Sequence, residues 1–251
     1  MKGSLVVSVL VAWELAVRLL AVPDYLLPPP SAIATELVAR FALVAPHGAV
    51  TLGEIAVGLV AAVGGGVVLA LGMAAVPFLH RGLYPLLAFL QAVPKVTVAP
   101  LFVIWLGYGL GSKVLMVFLI AFFPIAVNLT TGLLLVDADL LRLMRCYRAT
   151  VWHVFRTVRV PNAVPFFLAG LRIAVVLAVV GAVIAEFVGA DRGLGYLILL
   201  ANAELRTTLL FVCLIWLGAI GIGLFALVQW LERWLSPWAR GLRGPDAFAG
   251  F

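Results

Sequence analysis

The residues of this sequence best suited to recognition chemistry lie in a basic segment over residues 137–160, here called the basic loop. Its five arginines are Arg142, Arg145, Arg148, Arg156 and Arg159. On a continuous helix they fall within an arc of about 120°, and the apolar side chains lie mostly on the other side. The pattern predicts an amphipathic helix, or two short ones in sequence. Taken alone, it is typical of a helix that lies against anionic lipid.

Polar residues within long apolar runs form a second set of candidates, because a charge at mid-bilayer costs at least about 2.5–3.5 kcal/mol. The residues expected along a solute pathway are Gln91, Pro94, Lys95, Asn128 and Glu186. Lys95 fits either a pathway role or a structural ion pair. Glu186 could pair with Lys95 or line a gate, although a structural pair is favoured. Arg172 is expected to extend toward the cytoplasmic surface.

The groups that an intramembrane enzyme needs are not found in the sequence. Such an enzyme would require two aspartates, a serine and lysine dyad, or a histidine and glutamate metal cluster at mid-membrane. The three histidines are far apart, and the glycine-rich stretch 107–113 has the wrong spacing for a phosphate-binding loop. We therefore expect no catalytic residue, no metal and no cofactor on this chain.

The composition predicts the elements that must position these residues. Of 251 residues, 65% are hydrophobic and 11% are charged, whereas soluble domains average about 45–50% and about 25%. The excess is too large for one soluble core, so the chain is predicted to be an all-α polytopic membrane protein. Six transmembrane helices are predicted, over about 4–21, 49–76, 84–106, 113–135, 163–189 and 208–235. The basic loop lies between the fourth and fifth.

The loop charges predict the orientation. With the N-terminus inside, ten lysines and arginines fall on the cytoplasmic side, Arg240 and Arg243 among them. Four fall on the outer side: Arg40, Lys113, Arg192 and Arg206. Because cytoplasmic loops are enriched in positive charge, both termini are predicted to be cytoplasmic. Residues 1–251 are expected to form one domain, with an additional N-terminal span and a core over about 49–235.

The connection after the first span is long for a loop. Ser31 is predicted to cap a short helix over residues 32–43. Two pairs of residues spaced i, i+4 are expected to form ion pairs: Glu14 with Arg18, and Glu36 with Arg40. The first pair would lower the cost of placing two charges in lipid.

Several motifs resemble one known family. The end of the basic loop reads Val158-Arg159-Val160-Pro161-Asn162-Ala163-Val164-Pro165. Further motifs are Pro28-Pro29-Pro30-Ser31-Ala32, Ala121-Phe122-Phe123-Pro124 and Gly193-Leu194-Gly195-Tyr196. The pattern resembles the permeases of binding-protein-dependent ABC importers, whose coupling loop ends in an Ile-x-Leu-Pro-like signature. It is most similar to the branch that imports nitrate, sulfonates, taurine, bicarbonate and pyrimidine or other vitamin precursors.

The front of the loop departs from the family pattern. Counting back thirteen residues from Pro161, the family's usual glycine falls on Arg148 and its Glu-Ala-Ala falls on Arg142, Leu143 and Met144, and none of these matches. The missing glycine puts the bend between two short helices in doubt. The stretch from Ala149 to Trp152 does match the family. The resemblance implies that about 147–157 enters the groove of an ATPase. The implied coupling residues are Tyr147, Arg148, Ala149, Thr150, Trp152, Phe155, Arg156 and Pro161.

The resemblance also implies a function and a set of partners. The chain would be the permease subunit of an importer in the prokaryotic plasma membrane, moving a small polar or anionic solute by alternating access. It would pair with a second permease copy, two cytoplasmic ATPase subunits that hold ATP and Mg, and an extracytoplasmic binding protein. The alternative is the solitary substrate-binding component of a modular vitamin transporter, which would lack a coupling loop.

Overall fold

A computed structural model describes residues 2–235, and all regular structure within that range is helical. The α-helices are α1 (Lys2–Leu19), α2 (Pro30–Ala39), α3 (Phe41–Ala75), α4 (Pro77–Ala92), α5 (Ala99–Leu106), α6 (Leu110–Leu134), α7 (Ala138–Cys146), α8 (Val151–Val154), α9 (Val160–Gly189), α10 (Leu194–Ala203) and α11 (Thr207–Leu235). A 3-10 turn, Lys95–Val98, precedes α5, and a π-helical turn, Phe155–Arg159, joins α8 to α9. Arg240 and Arg243 lie outside the described residues.

Four helices among the described residues are long and apolar enough to cross a membrane: α3, α6, the continuous helix Val151–Gly189 and α11. A fifth span results if α4 and Lys95–Leu106, which are bent by 87° at their junction, count as one. The predicted all-α polytopic fold is confirmed, but the count of six spans is not. The first helix carries three charges in 18 residues, so its composition alone does not identify it as a span.

The structure corrects two of the predicted helix starts. The second span begins at Phe41 rather than near residue 49. Ser31 does not cap a helix, because α2 starts at Pro30 with Pro29 as its N-cap. The Ser31 hydroxyl instead donates to Glu14 Oε1 at 2.7 Å. Both predicted ion pairs are present, with the Nε–Oε1 distance 2.6 Å for Arg18 and Glu14 and 3.1 Å for Arg40 and Glu36.

The core lies where α3, α6 and α9 meet. Its buried side chains include Ile55 from α3, Val117 and Ile125 from α6, and Leu168 and Val175 from α9. Small residues bring the backbones together, as expected for membrane helices that associate by packing. A Cβ atom added to Gly132 of α6 would lie 2.8 Å from the Cα atom of Ala163 in α9. This close contact fixes the two helices that flank the basic loop.

A short helix, α10, occupies a stretch that the sequence analysis treated as a loop. Its buried residues are Leu194, Gly195, Leu197, Ile198 and Ala201, and they join a second core with α2, α3 and α11. At only 10 residues it is too short to span a bilayer. It packs instead against the end of the bundle opposite the basic loop, because it follows the last turn of α9.

Candidate functional site

The basic loop forms two helices separated by a bend, so its arginines do not share one continuous helical face. The first helix, α7, ends in a Schellman motif: the Ala149 N–H donates to Met144 O at 3.0 Å, and the Arg148 N–H donates to Arg145 O at 2.9 Å. Arg148 has φ +51°, the left-handed conformation that such a motif requires. The bend is therefore made without the usual glycine.

The second half of the basic loop continues directly into a span. The Thr150 hydroxyl caps α8 by accepting the His153 N–H at 3.2 Å, and the helix then runs unbroken to Gly189. Within it, the Val160 N–H donates to Phe155 O in a π-helical turn. Pro161 follows this turn and has no N–H to donate to the preceding turn. A wider turn at this point accommodates the proline without ending the helix.

The predicted coupling residues separate into exposed and inward-facing groups. Tyr147 is 77% exposed and Trp152 is 69% exposed, and the Arg148 and Arg156 side chains are also exposed. The remaining members are Ala149, Thr150, Phe155 and Pro161, of which only Thr150 is exposed. Phe155 stacks on Trp152, with ring centroids 5.6 Å apart, and packs on the buried cluster that joins α3, α6 and α9. Phe155 therefore connects the exposed surface to the bundle.

Asn162 joins the start of α9, where the basic loop ends, to the C-terminal end of α6. Its Nδ2 atom donates to Gly132 O and to Leu135 O, both at 2.8 Å. These carbonyls lie at the C-terminal end of α6, where helix carbonyls lack intrahelical partners. The segment that begins at Val151 is thus connected rigidly to both flanking spans.

The predicted pathway residues do not form one cluster. Lys95 Nζ donates to Gln91 O at 2.9 Å and lies 5.2 Å from the centroid of the Phe123 ring. Pro94 precedes the 3-10 turn at the 87° bend, as a broken span requires. Asn128 donates to Pro124 O within α6 and lies against Gly170 in α9, so it belongs to a helix interface. Of the predicted pathway residues, Gln91 and Pro94 are exposed, whereas Lys95 and Asn128 are half-buried.

Glu186 is not paired with Lys95. It is 1% exposed and belongs to a buried polar cluster of His47, Thr51, Glu54, Lys113 and Glu186, here called the polar cluster. The hydroxyl of Thr51 donates to Glu186 Oε1 at 2.6 Å, and Lys113 Nζ donates to Glu54 Oε1 at 2.8 Å. Lys113 was predicted to lie in an outer loop, which is wrong: it is 6% exposed and faces Glu54 inside the bundle.

The partners of Glu186 in the polar cluster were not predicted from the sequence, although Glu54 gives one signal. Glu54 is a carboxylate in the middle of an apolar run and is 2% exposed. A buried carboxylate is commonly paired with a cation, and in this structure Lys113 is the cation that pairs with Glu54. Thr51 and His47 could not be identified in this way, because neutral polar residues are common in membrane helices.

The polar cluster binds the N-terminus of α10. Three consecutive backbone N–H groups donate to side chains: Gly193 to His47 Nδ1 at 3.0 Å, Leu194 to Thr51 Oγ1 at 2.8 Å, and Gly195 to Glu186 Oε2. These are groups that a helix leaves without intrahelical partners. The positive end of the helix dipole also favours the Glu186 carboxylate there.

The two glycines of the Gly193-Leu194-Gly195 motif are explained by this contact. Gly193 has φ +117°, which disfavours any other residue, and a Cβ atom at Gly193 would overlap the Glu186 carboxylate. A Cβ atom at Gly195 would lie 2.8 Å from Glu186 Oε2. Only glycine lets the backbone approach the carboxylate this closely.

Two cavities lie beside the polar cluster. One, of about 470 Å³, is lined by Glu54, Lys113, Asp191 and Arg192 among others, and the second, of about 380 Å³, by Glu186 and Tyr196. The Tyr108 side chain lines both. The charged side chains that line these cavities lie at the end of the bundle farthest from the basic loop.

Arg172 forms an ion pair with Glu232 near the end of α11. Its guanidinium therefore has a carboxylate partner on a neighbouring helix, and its extension toward the cytoplasmic surface stays a prediction. Pairing lowers the cost of a charge inside a membrane helix.

Comparison with known proteins gives a consistent result. A family model described as the inner membrane component of binding-protein-dependent transport systems matches residues 62–241. A probable ABC transporter permease from Haemophilus influenzae is 37% identical over 92% of this chain and 95% of its own length. A formylaminopyrimidine transport permease from Halalkalibacterium halodurans is 37% identical over 92% of each chain. A taurine transport permease from Escherichia coli is 31% identical over 94% of this chain and 88% of its own length.

Proposed function

This chain belongs to the family of binding-protein-dependent transport system inner membrane components, and we propose from that premise that its basic loop couples it to a cytoplasmic ATPase. Family membership makes the chain a permease subunit of an ABC importer, a multi-pass inner membrane protein that works with an ATPase and a binding protein. It is not itself an enzyme. ATP and Mg²⁺ are proposed to bind on the ATPase subunits.

The observation that carries the coupling proposal is the exposed aromatic and basic surface on a rigid helix. Trp152 and Tyr147 are exposed, and Trp152 lies on a helix that runs without a break to Gly189. Exposed aromatic residues beside arginine are the usual anchors of protein interfaces. If this surface sits in an ATPase groove, ATP-driven closure of two ATPase subunits moves the attached spans as rigid bodies.

The assembly that we propose contains two copies of this chain. Each copy has one basic loop, and two ATPase subunits must be engaged, so a symmetric homodimer is the simplest arrangement. The whole chain then acts as one permease domain, with the solute pathway between the copies. Both termini are proposed to be cytoplasmic. Burial of Lys113 supports this, because three of the four positive residues assigned to the outer side then remain there: Arg40, Arg192 and Arg206.

The proposed solute is small and polar or anionic, and a binding protein delivers it. Two of the relatives reported above are named for a solute, formylaminopyrimidine and taurine, and both of these solutes are small and polar. Within the pathway, the proposal assigns contact with solute to the bend that contains Gln91, Pro94 and Lys95. Glu186 is assigned to holding helices in position, because it is buried and both carboxylate oxygens accept hydrogen bonds within the chain. Asn128 is assigned to the same role, because its side chain lies between α6 and α9 against Gly170.

The experiment that tests the coupling role is ATP hydrolysis by the assembled transporter in lipid, with and without its binding protein. Trp152→Ala is expected to abolish the stimulation by binding protein while the complex stays folded. Phe155 is left intact, because it packs against the bundle core. Trp230→Ala, which removes an indole that is 60% exposed on α11, is the matched control. Normal stimulation of the Trp152→Ala transporter would overturn the proposal.

A further inference from the structure

The basic loop carries its most exposed apolar side chains around a single arginine. Tyr147, Val151 and Trp152 are each at least 69% exposed, and they surround the bend at Arg148. The Arg148 side chain is exposed as well, and its guanidinium has no ion-pair or hydrogen-bond partner within residues 2–235. Tyr147, Arg148, Val151 and Trp152 together are here called the bend patch.

The neighbouring arginines of α7 differ from Arg148 in this respect. Arg142 forms an ion pair with Asp139, with Nη1 and Oδ1 2.8 Å apart. Arg145 Nε donates to Leu141 O at 3.3 Å. Among the described residues, Arg148 is therefore the arginine of the first half of the loop whose guanidinium makes neither an ion pair nor a hydrogen bond.

The backbone at Arg148 gives a second reason to assign a role to its side chain. A left-handed conformation is less favourable for arginine than for glycine by roughly 1–2 kcal/mol. Glycine would make the same Schellman bend without that cost. Strain alone does not identify a function, because Ala21 and Leu205 occupy equivalent positions after α1 and α10, with φ +48° and +55°. What distinguishes Arg148 is an unpaired charge among exposed aromatic residues.

The charge of the loop indicates what the partner must offer. Five arginines against two aspartates give residues 137–160 a net charge of +3 with His153 neutral. A partner groove that accepts the bend patch must therefore bury Tyr147 and Trp152 and face the guanidinium with a carboxylate. Arginine suits such a contact better than lysine, since its planar group binds a carboxylate through two hydrogen bonds.

We infer that Arg148 is a specificity-determining residue of the ATPase interface, which pairs with an acidic side chain in the groove that receives the bend patch. The inference rests on the proposed coupling function and adds the chemistry of the partner surface. The bend positions the guanidinium beside the aromatic anchors. The ion pair with the ATPase can therefore form only when Tyr147 and Trp152 are bound in the groove. A permease with glycine at this position would keep the bend but lose the charged contact.

The test is the affinity of the assembled permease, in lipid nanodiscs, for its purified ATPase subunit, measured at low and high salt. Arg148→Ala keeps the strained backbone position and removes the charge, and it is expected to weaken binding by about tenfold and to flatten the salt dependence. Arg148→Lys keeps the charge and is expected to retain the salt dependence with a smaller loss. Leu205→Ala, at the equivalent backbone position after α10, is the matched control and should bind as the parent does.

The outcomes distinguish a failure of the inference about Arg148 from a failure of the proposed coupling function. If Trp152→Ala weakens binding but Arg148→Ala does not, the loop docks on the ATPase and the inference about Arg148 is wrong. Equal losses with Arg148→Ala and Arg148→Lys, at unchanged salt dependence, would also overturn it. If neither Trp152→Ala nor Arg148→Ala changes binding, the coupling function itself fails.

Discussion

The polar cluster and the basic loop lie at opposite ends of the same two helices, α6 and α9. They differ in whether their charged side chains are buried and paired or exposed. In the polar cluster, Glu54, Lys113 and Glu186 are buried and hydrogen-bonded to one another or to backbone. In the basic loop, Arg148 is exposed, and it occupies an unfavourable backbone conformation. The contrast indicates that one end is built to hold its own elements together and the other to engage a separate protein.

The largest effect is expected from breaking the buried ion pair. Lys113→Met leaves the Glu54 carboxylate without its cation, so the free energy of unfolding should fall by about 3–5 kcal/mol. Thermal unfolding of the purified permease in detergent measures the change. The double variant Glu54→Leu with Lys113→Met removes both charges and should recover most of the loss. A single variant as stable as the parent would mean that the pair is not buried in the membrane protein.

A smaller loss is expected from Gly193→Ala. The added Cβ meets the Glu186 carboxylate in a backbone conformation with φ +117°, so the α10 N-terminus must move, at a cost of about 2–3 kcal/mol. Gly107→Ala is the matched control, since Gly107 also has a positive φ but open space around its Cα atom. It should cost only about 1 kcal/mol in the same unfolding measurement. Equal losses would show that backbone strain alone accounts for Gly193.

The smallest effect, and one of opposite sign, is expected in the basic loop. Arg148→Gly relieves the left-handed strain, so the free energy of unfolding should rise by about 1 kcal/mol. Leu205→Gly, at the equivalent position after α10, should give a similar gain. Unfolding midpoints of the two variants against the parent check both. A loss of stability in Arg148→Gly alone would mean that the arginine already has a partner within the folded chain.

Sequence reasoning predicted the parts of this molecule that depend on composition and local spacing. The apolar runs predicted the spans at α6 and α11 to within a few residues, and the i, i+4 spacing predicted the ion pair of Glu14 with Arg18. Each of these features is set by neighbours along the chain, so a single sequence contains the information.

Features that depend on contacts between distant residues were not predicted. The polar cluster joins α3, α6 and α9, and residues 51 and 186 come together only because the bundle packs. The helix α10 was missed because its ten residues are too few for a span and its caps come from other helices. The bend at Arg148 was doubted because arginine rarely adopts a left-handed conformation, yet two backbone hydrogen bonds hold it there.

The most direct test of the central claim, that the basic loop is the surface that engages the ATPase, is thiol cross-linking of the assembled transporter. Val151→Cys is introduced in a Cys146→Ser background, because Cys146 is exposed whereas Cys213 is buried. Val151 is 88% exposed beside Trp152, and replacing it leaves both aromatic anchors in place. The account predicts a cross-linked product between residue 151 and the ATPase subunit. It predicts none from Leu205→Cys, which is exposed at the opposite end of the bundle. No product from residue 151, or equal products from both positions, would contradict the account.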